Sequence, residues 1–152
     1  MLRGWTQSFM MLVILMGLWT VNGLANDSDS IDLNSFKWKN RLLFLFASSE
    51  EDQTYHTLKE EINRQDREIR DRDLLISQIF EKGESRLGKE RLSSGQVLSL
   101  RKHLSVPSGQ FMIILIGKDG GEKLRQDRVV ELKEIFKIID AMPMRQQEMR
   151  KK

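Results

Sequence analysis

Residues 116–125 read IGKDGGEKLR, an apolar run that stops at glycines around a lysine and an aspartate. Phosphate cradling would require a glycine five residues before the Gly117-Lys118 pair and a Ser or Thr after it. Met112 and Asp119 stand at those places, so a nucleotide loop is excluded. The stretch predicts a β-turn in which Gly120 and Gly121 supply positive φ. Thiol chemistry is excluded outright, because the chain contains no cysteine: no disulfide exchange, no cysteine nucleophile, no thiolate metal site. His56 and His103, the only histidines, are far apart and read as surface helix residues, not metal ligands. DSDSID (27–32) is rich in oxygen ligands but lacks the glycine and terminal glutamate of a calcium hand, and reads as a solvated linker. No cofactor or metal is implied.

The elements that must position these residues follow from periodicity. RLLFLF (41–46) is a short, nearly all-apolar run, the pattern of a strand covered on both faces. After ASSEEDQ, Ser49 and Asp52 predict a capping box for a helix bearing Tyr55, Leu58 and Ile62 on one face. DREIRDRD (66–73) carries the helix end and exit, and LLISQIF (74–80) is a second strand. Residues 81–95 are polar and glycine-dotted, hence loop. Ser94 caps a second helix with Val97, Leu100 and Leu104 inward. FMIILI (111–116) is a third strand and EKLRQ (122–126) a polar edge strand. RVVELKEIFKIIDAM (128–142) is a helix with Val129, Leu132, Phe136 and Ile139 on its stripe, ended by Pro143.

The order β-α-β-α-β-β-α, with a right-handed crossover and a tight hairpin, predicts an α/β domain. Its four-stranded mixed sheet has order 2-1-3-4, strands counted along the chain, with helices on both faces. That is a thioredoxin-like fold. At 152 residues there is room for one such domain. Charged residues at 31% against 39% apolar exclude both a disordered chain and a membrane bundle.

The first 25 residues have a positive Arg3, an apolar core from Phe9 to Val21, and small Gly23 and Ala25 before NDSDS. This is the pattern of a cleaved signal peptide, with an uncleaved membrane anchor as the alternative, so the domain is expected to be periplasmic or secreted. Residues 26–35 are expected as a flexible acidic linker, 36–143 as the domain and 144–152 as a basic tail. Of the formal net charge of +3, Arg3 accounts for one and the tail MRQQEMRKK for a net three, which leaves the body at −1. Basicity of this kind marks a solvated terminus, not a nucleic-acid-binding face.

WKNRLLFLFA (38–47), RDLLI (72–76), LIGKDGGEKLR (115–125) and IDAMPMRQQEMR (139–150) resemble the signature blocks of the DUF4174 family. This is a thioredoxin-like domain of exported bacterial proteins and of vertebrate extracellular proteins with sushi repeats. The resemblance implies fold and compartment, and no reaction. In thioredoxin-like enzymes the nucleophilic cysteine lies between the first strand and first helix. Ser48-Ser49-Glu50-Glu51 occupy that stretch, and Gln110 stands where the fold's proline would precede the third strand. The ordinary oxidoreductase site is missing.

By topology all four blocks converge on the opposite, lower pole. They bring together Trp38, Lys39, Arg41, Arg72, Asp73, Lys118, Asp119, Asp140 and Arg145. In one reading the acids pair with the arginines to tie down strand ends, with Trp38 packed beneath. In the other, Lys39, Arg41, Lys118 and Arg145 present charge to an anionic or protein partner, with Trp38 as aromatic anchor. A non-thiol enzyme using these charges, or the serines at the first helix, is the alternative from another class. Contact is expected between the 117–121 turn and the MPMR segment, with Asp119 or Asp140 holding Arg145 or Arg41.

Overall fold

The apolar run from Arg41 has no polar break because its strand is covered on both faces. In the computed structural model, which describes residues 30–151, it forms β1 (Arg41–Ser49), buried from Arg41 through Ala47. Leu42, Phe44 and Phe46 face one core and Leu43 and Leu45 the other, as period-two alternation requires. The leader expected over 1–25, the first residues of the linker and Lys152 lie outside the described residues.

β1 pairs in parallel with β2 (Leu74–Lys82) and antiparallel with β5 (Met112–Ile116), which pairs with the polar edge strand β6 (Glu122–Gln126). Those four strands have the order expected. Two short strands, β3 (Arg86–Leu87) and β4 (Glu90–Arg91), extend the other edge to give a six-stranded sheet of order β4-β3-β2-β1-β5-β6. They correct the reading of 81–95 as loop. The hairpin turns on Gly88 at φ 61° and buries only Leu87, so it leaves no apolar alternation to read.

Helices cover both faces. α1 (Gln53–Arg64), α2 (Asp66–Asp71) and α4 (Leu132–Asp140) lie over one, and α3 (Ser94–His103) over the other. The caps sit differently from expectation. β1 runs on to Ser49, so α1 starts later, where the Asp52 carboxylate accepts from the amides of Thr54 and Tyr55. Ser93, not Ser94, caps α3, because Gln96 three residues on completes its capping box. α4 begins at Leu132 and not at Arg128, with Val129 and Val130 in its approach.

Both ends differ from the expected boundaries. The second half of the linker is ordered: Asp32 caps a short 3-10 helix (Leu33–Phe36), and Ile31, Leu33 and Phe36 pack against the α3-side core. The expected tail is a helix, α5 (Pro143–Arg150), with Arg145 buried inside the fold. Pro143 thus opens a helix as well as closing one, since its missing N–H costs nothing in a first turn.

Candidate functional site

The lower pole is built from four chain segments that reach one end of the sheet. β1 and β2 start there, the β5–β6 turn lies there, and α4 hands over to α5 there. Arg41 is fully buried. Its Nη1 donates to the Arg72 carbonyl at 2.8 Å, and Nη1 and Nη2 grip the Glu148 carboxylate at 3.2 and 3.3 Å. Lys118, also buried, bridges Glu148 and Asp73 with 2.7 Å to each. Arg72 holds Asp140 through Nε and Nη2 at 3.1 and 2.6 Å, and its guanidinium lies 4.3 Å over the Phe136 ring. Arg145, 3% exposed, donates to Asp140 at 3.1 Å, to the Asp71 carbonyl at 2.7 Å and to the Asp71 carboxylate.

Four cations therefore meet four carboxylates, and the network neutralises itself. Burial alone would raise the pKa of Asp140, but hydrogen bonds from Arg72 and Arg145 outweigh it and hold the carboxyl below its ordinary range. The same balance holds for Glu148, where Lys118 and Arg41 overcome desolvation. Arg145 is pushed the other way: its carboxylate partners outweigh desolvation and raise it. Removing any one partner would leave the network with one charge uncompensated in a partly dry setting, which is costly even where an intact pair gains little.

Of the expected residues, Arg41, Arg72, Asp73, Lys118, Asp140 and Arg145 are brought into this network. Arg145 is held by Asp140, within the expected pairings. Asp119 holds neither arginine. It turns outward to Lys123 at 2.6 Å and caps the Gly121 amide at 3.1 Å, contacts that lower its pKa in that order. Arg41 pairs with Glu148 instead. Asp71 and Glu148 are the residues that sequence reasoning missed. Glu148 lies at i+3 from Arg145, a spacing that pairs on a helix, but it was hidden by reading the segment as a tail.

Two further features distinguish this pole. The β5–β6 turn is closed by Gly120 N–H to Gly117 O and Gly117 N–H to Gly121 O, both 2.9 Å. Only Gly120 has positive φ, at 80°, so the expectation for Gly121 is corrected. Behind the turn a cavity of about 200 Å³ is lined by Arg41, Gly117, Lys118, Lys123 and the Met142-Pro143-Met144 segment. In front, Phe36 to Lys39 form a second turn, with Lys37 at φ −55°, ψ 140°, Trp38 at φ 65°, and Lys39 N–H donating to Phe36 O at 3.1 Å. This is type II geometry with tryptophan at the position such turns reserve for glycine or asparagine. The Trp38 amide donates to Lys118 O at 2.7 Å, which seats this turn on the other. Trp38 does not pack beneath the sheet: it is 67% exposed, with exposed Lys39 beside it.

At the opposite pole Ser48 donates to Asp52, and Ser49 Oγ accepts from the Glu51 amide. These serines serve the entry to α1.

The parallel β1–β2 pair, the antiparallel β5–β6 hairpin and the helices on both faces define a thioredoxin-like domain. Solved structures agree. The domain is similar to a reduced 2-Cys peroxiredoxin of Plasmodium vivax (TM-score 0.57, 17% identity, 76% of this chain and 84% of that one). It is similar also to thioredoxin peroxidase I of Plasmodium yoelii (TM-score 0.57, 15% identity, 76% and 79%). A mitochondrial 2-Cys peroxiredoxin of Plasmodium falciparum gives a TM-score of 0.54 at 16% identity over 73% and 80%. At these identities the likeness is one of fold. The chain belongs to the DUF4174 family, a domain of unknown function, whose family model matches residues 32–148. With no cysteine in the chain, a cysteine-based peroxidase mechanism is not available to it.

Proposed function

We propose that the chain is an exported, thiol-free binding domain whose protein partner docks at the lower pole. The observation that carries this reading is Trp38, a bulky residue held exposed in a left-handed conformation that glycine would adopt without strain. Such strain persists only where the surroundings impose it, and it gathers at functional positions. Burial of the ring against a partner would recover the apolar area that the free domain leaves in water.

Arg41, Lys118 and Arg145 act as framework in this reading, since internal carboxylates hold them. Recognition falls to Trp38, Lys39 and the cavity behind the 117–121 turn, whose Met142-Pro143-Met144 wall would accept an apolar side chain. Exposed lysine next to exposed tryptophan favours an acidic segment as partner. The enzymatic alternative is less well supported. Asp119, Asp140 and Glu148 all lie below their ordinary pKa, which makes them poor proton acceptors near neutral pH.

The test is a pull-down from the exported fraction with the full chain, comparing wild type with Trp38→Gly after circular dichroism has shown the variant folded. A partner retained by wild type and lost by the variant is the expected outcome. Equal retention by both would overturn the assignment.

A further inference from the structure

The second cavity of interest lies at the upper pole, between the end of β2 and α3. It measures about 270 Å³, and its walls include Phe80, Leu92, Val97 and Leu98, with Ser94 at the start of α3. Arg101 also lines it, from the far end of the same helix. That arginine is 7% exposed, although the Arg101-Lys102-His103 run reads as a solvated basic helix end.

The hydrogen bonds of Arg101 are unevenly used. Nη1 donates to the Pro107 carbonyl at 3.1 Å, and the guanidinium lies 5.2 Å over the Phe46 ring. Nε and Nη2 are both buried and have no hydrogen-bond partner. These two form one edge of the guanidinium, the fork that matches the two oxygens of a carboxylate in-plane. Glu81 is the nearest acid, with Oε1 3.6 Å from Nη2, beyond hydrogen-bond range. That same oxygen accepts from Ser108 Oγ at 3.0 Å and from the Gly109 amide, so Glu81 is committed to the 108–109 turn.

We propose that this cavity binds a small monocarboxylate with an apolar tail. The carboxylate takes the Nε–Nη2 edge of Arg101, and the tail lies against Leu92, Val97 and Leu98. Buried N–H groups without partners have given up water with no return, so an acceptor entering there gains more than one at a solvated arginine. Charge selects a monoanion. Glu81 lines the same cavity as Arg101, so a monocarboxylate adds one negative charge beside it where a phosphate dianion would add two. Size selects a short tail, since the cavity lies below the roughly 300 Å³ at which ligand pockets of drug-like molecules begin. Leu98, 68% exposed on the rim, gives the tail an apolar edge that the free domain leaves in water. The carboxylate could belong to a free acid or to the C-terminus of a peptide, and the two are separable by experiment.

The test is titration of the ¹⁵N-labelled full-length chain with hexanoate, following the Arg101 Nε–H resonance, with hexanol as uncharged control and N-acetyl-leucine as mimic of a peptide terminus. Hexanoate should shift the resonance in a saturable way and hexanol should not. Saturation by N-acetyl-leucine at lower concentration would assign the site to chain termini, and tighter hexanoate binding would assign it to free acids. Arg101→Gln, which lacks that reporter and is followed instead by the backbone amides of Val97 and Leu98, should weaken hexanoate binding at least tenfold. Should that variant fail to fold, Leu98→Glu places a charge on an exposed rim position and should weaken binding several-fold with the fold intact. No saturable shift up to tens of millimolar, an equal response to hexanol, or unchanged binding by Leu98→Glu would overturn the proposal.

Discussion

Replacing Trp38 by glycine and, separately, by alanine isolates the backbone strain of the turn that presents it. Both variants lose the indole, and with it the contacts of the third of its surface that is buried. Full burial of a tryptophan covers about 150–250 Å². One third of that at about 25 cal/mol per Å² is roughly 1–2 kcal/mol, an upper bound because the unfolded chain also shields the ring. Alanine keeps the left-handed penalty of about 1–2 kcal/mol, which glycine removes at an entropic cost of about 0.4–1 kcal/mol. Trp38→Gly should therefore be more stable than Trp38→Ala by about 0.5–1 kcal/mol, the reverse of the usual order. Against wild type the glycine variant should lie within about 1 kcal/mol. Urea denaturation at fixed m-value reads the difference directly. Equal stability, or alanine the more stable, would refute a strained Trp38 and remove the observation on which the binding assignment rests.

Other perturbations address the network. Arg145→Ala takes from Asp71 and Asp140 the guanidinium they share, although Asp140 keeps Arg72, and because both carboxylates keep some water the expected loss is about 1–3 kcal/mol by the same denaturation assay. Arg41→Met should cost less than Arg41→Ala, since both take the guanidinium from Glu148 but methionine refills the buried volume where alanine leaves a cavity; thermal melts of the two rank them. The pH dependence has a definite sign. Asp140 and Glu148 have folded pKa values below their unfolded ones, so the folded state binds fewer protons in that window. Their stabilisation is present above the unfolded carboxylate range near pH 4 and lost as pH falls through the lowered folded values. Melts should hold steady from pH 7 to about 5 and drop below about 4, with a shallower acid drop in Asp140→Asn.

The central sheet was legible because its residues obey simple periods. The apolar runs at 42–46 and 111–116 admit few structures other than doubly covered strands, and 116–122 has the glycines of a tight turn. The convergence of Arg72, Lys118, Asp140 and Arg145 then followed from strand directions alone. The rest turned on features without a period. α5 is held by the ion pairs of Arg145 and Glu148 and not by an apolar stripe, so MRQQEMRKK looks like a solvated tail. Trp38 before a strand gives no sign of its φ, which depends on the Lys118 carbonyl eighty residues later. The burial of Arg101 depends on Phe46, far from it in sequence, as well as on the neighbouring Pro107 carbonyl.

The central claim, that a partner docks on Trp38 at the lower pole, is tested most directly by site-specific photo-crosslinking in the expressing cell. A photoreactive phenylalanine analogue replaces Trp38, Lys39 or, as a control, the exposed helix residue Glu60. The account predicts one discrete crosslinked protein from positions 38 and 39 and none from position 60. No adduct at 38, or the same adducts from all three positions, would contradict it.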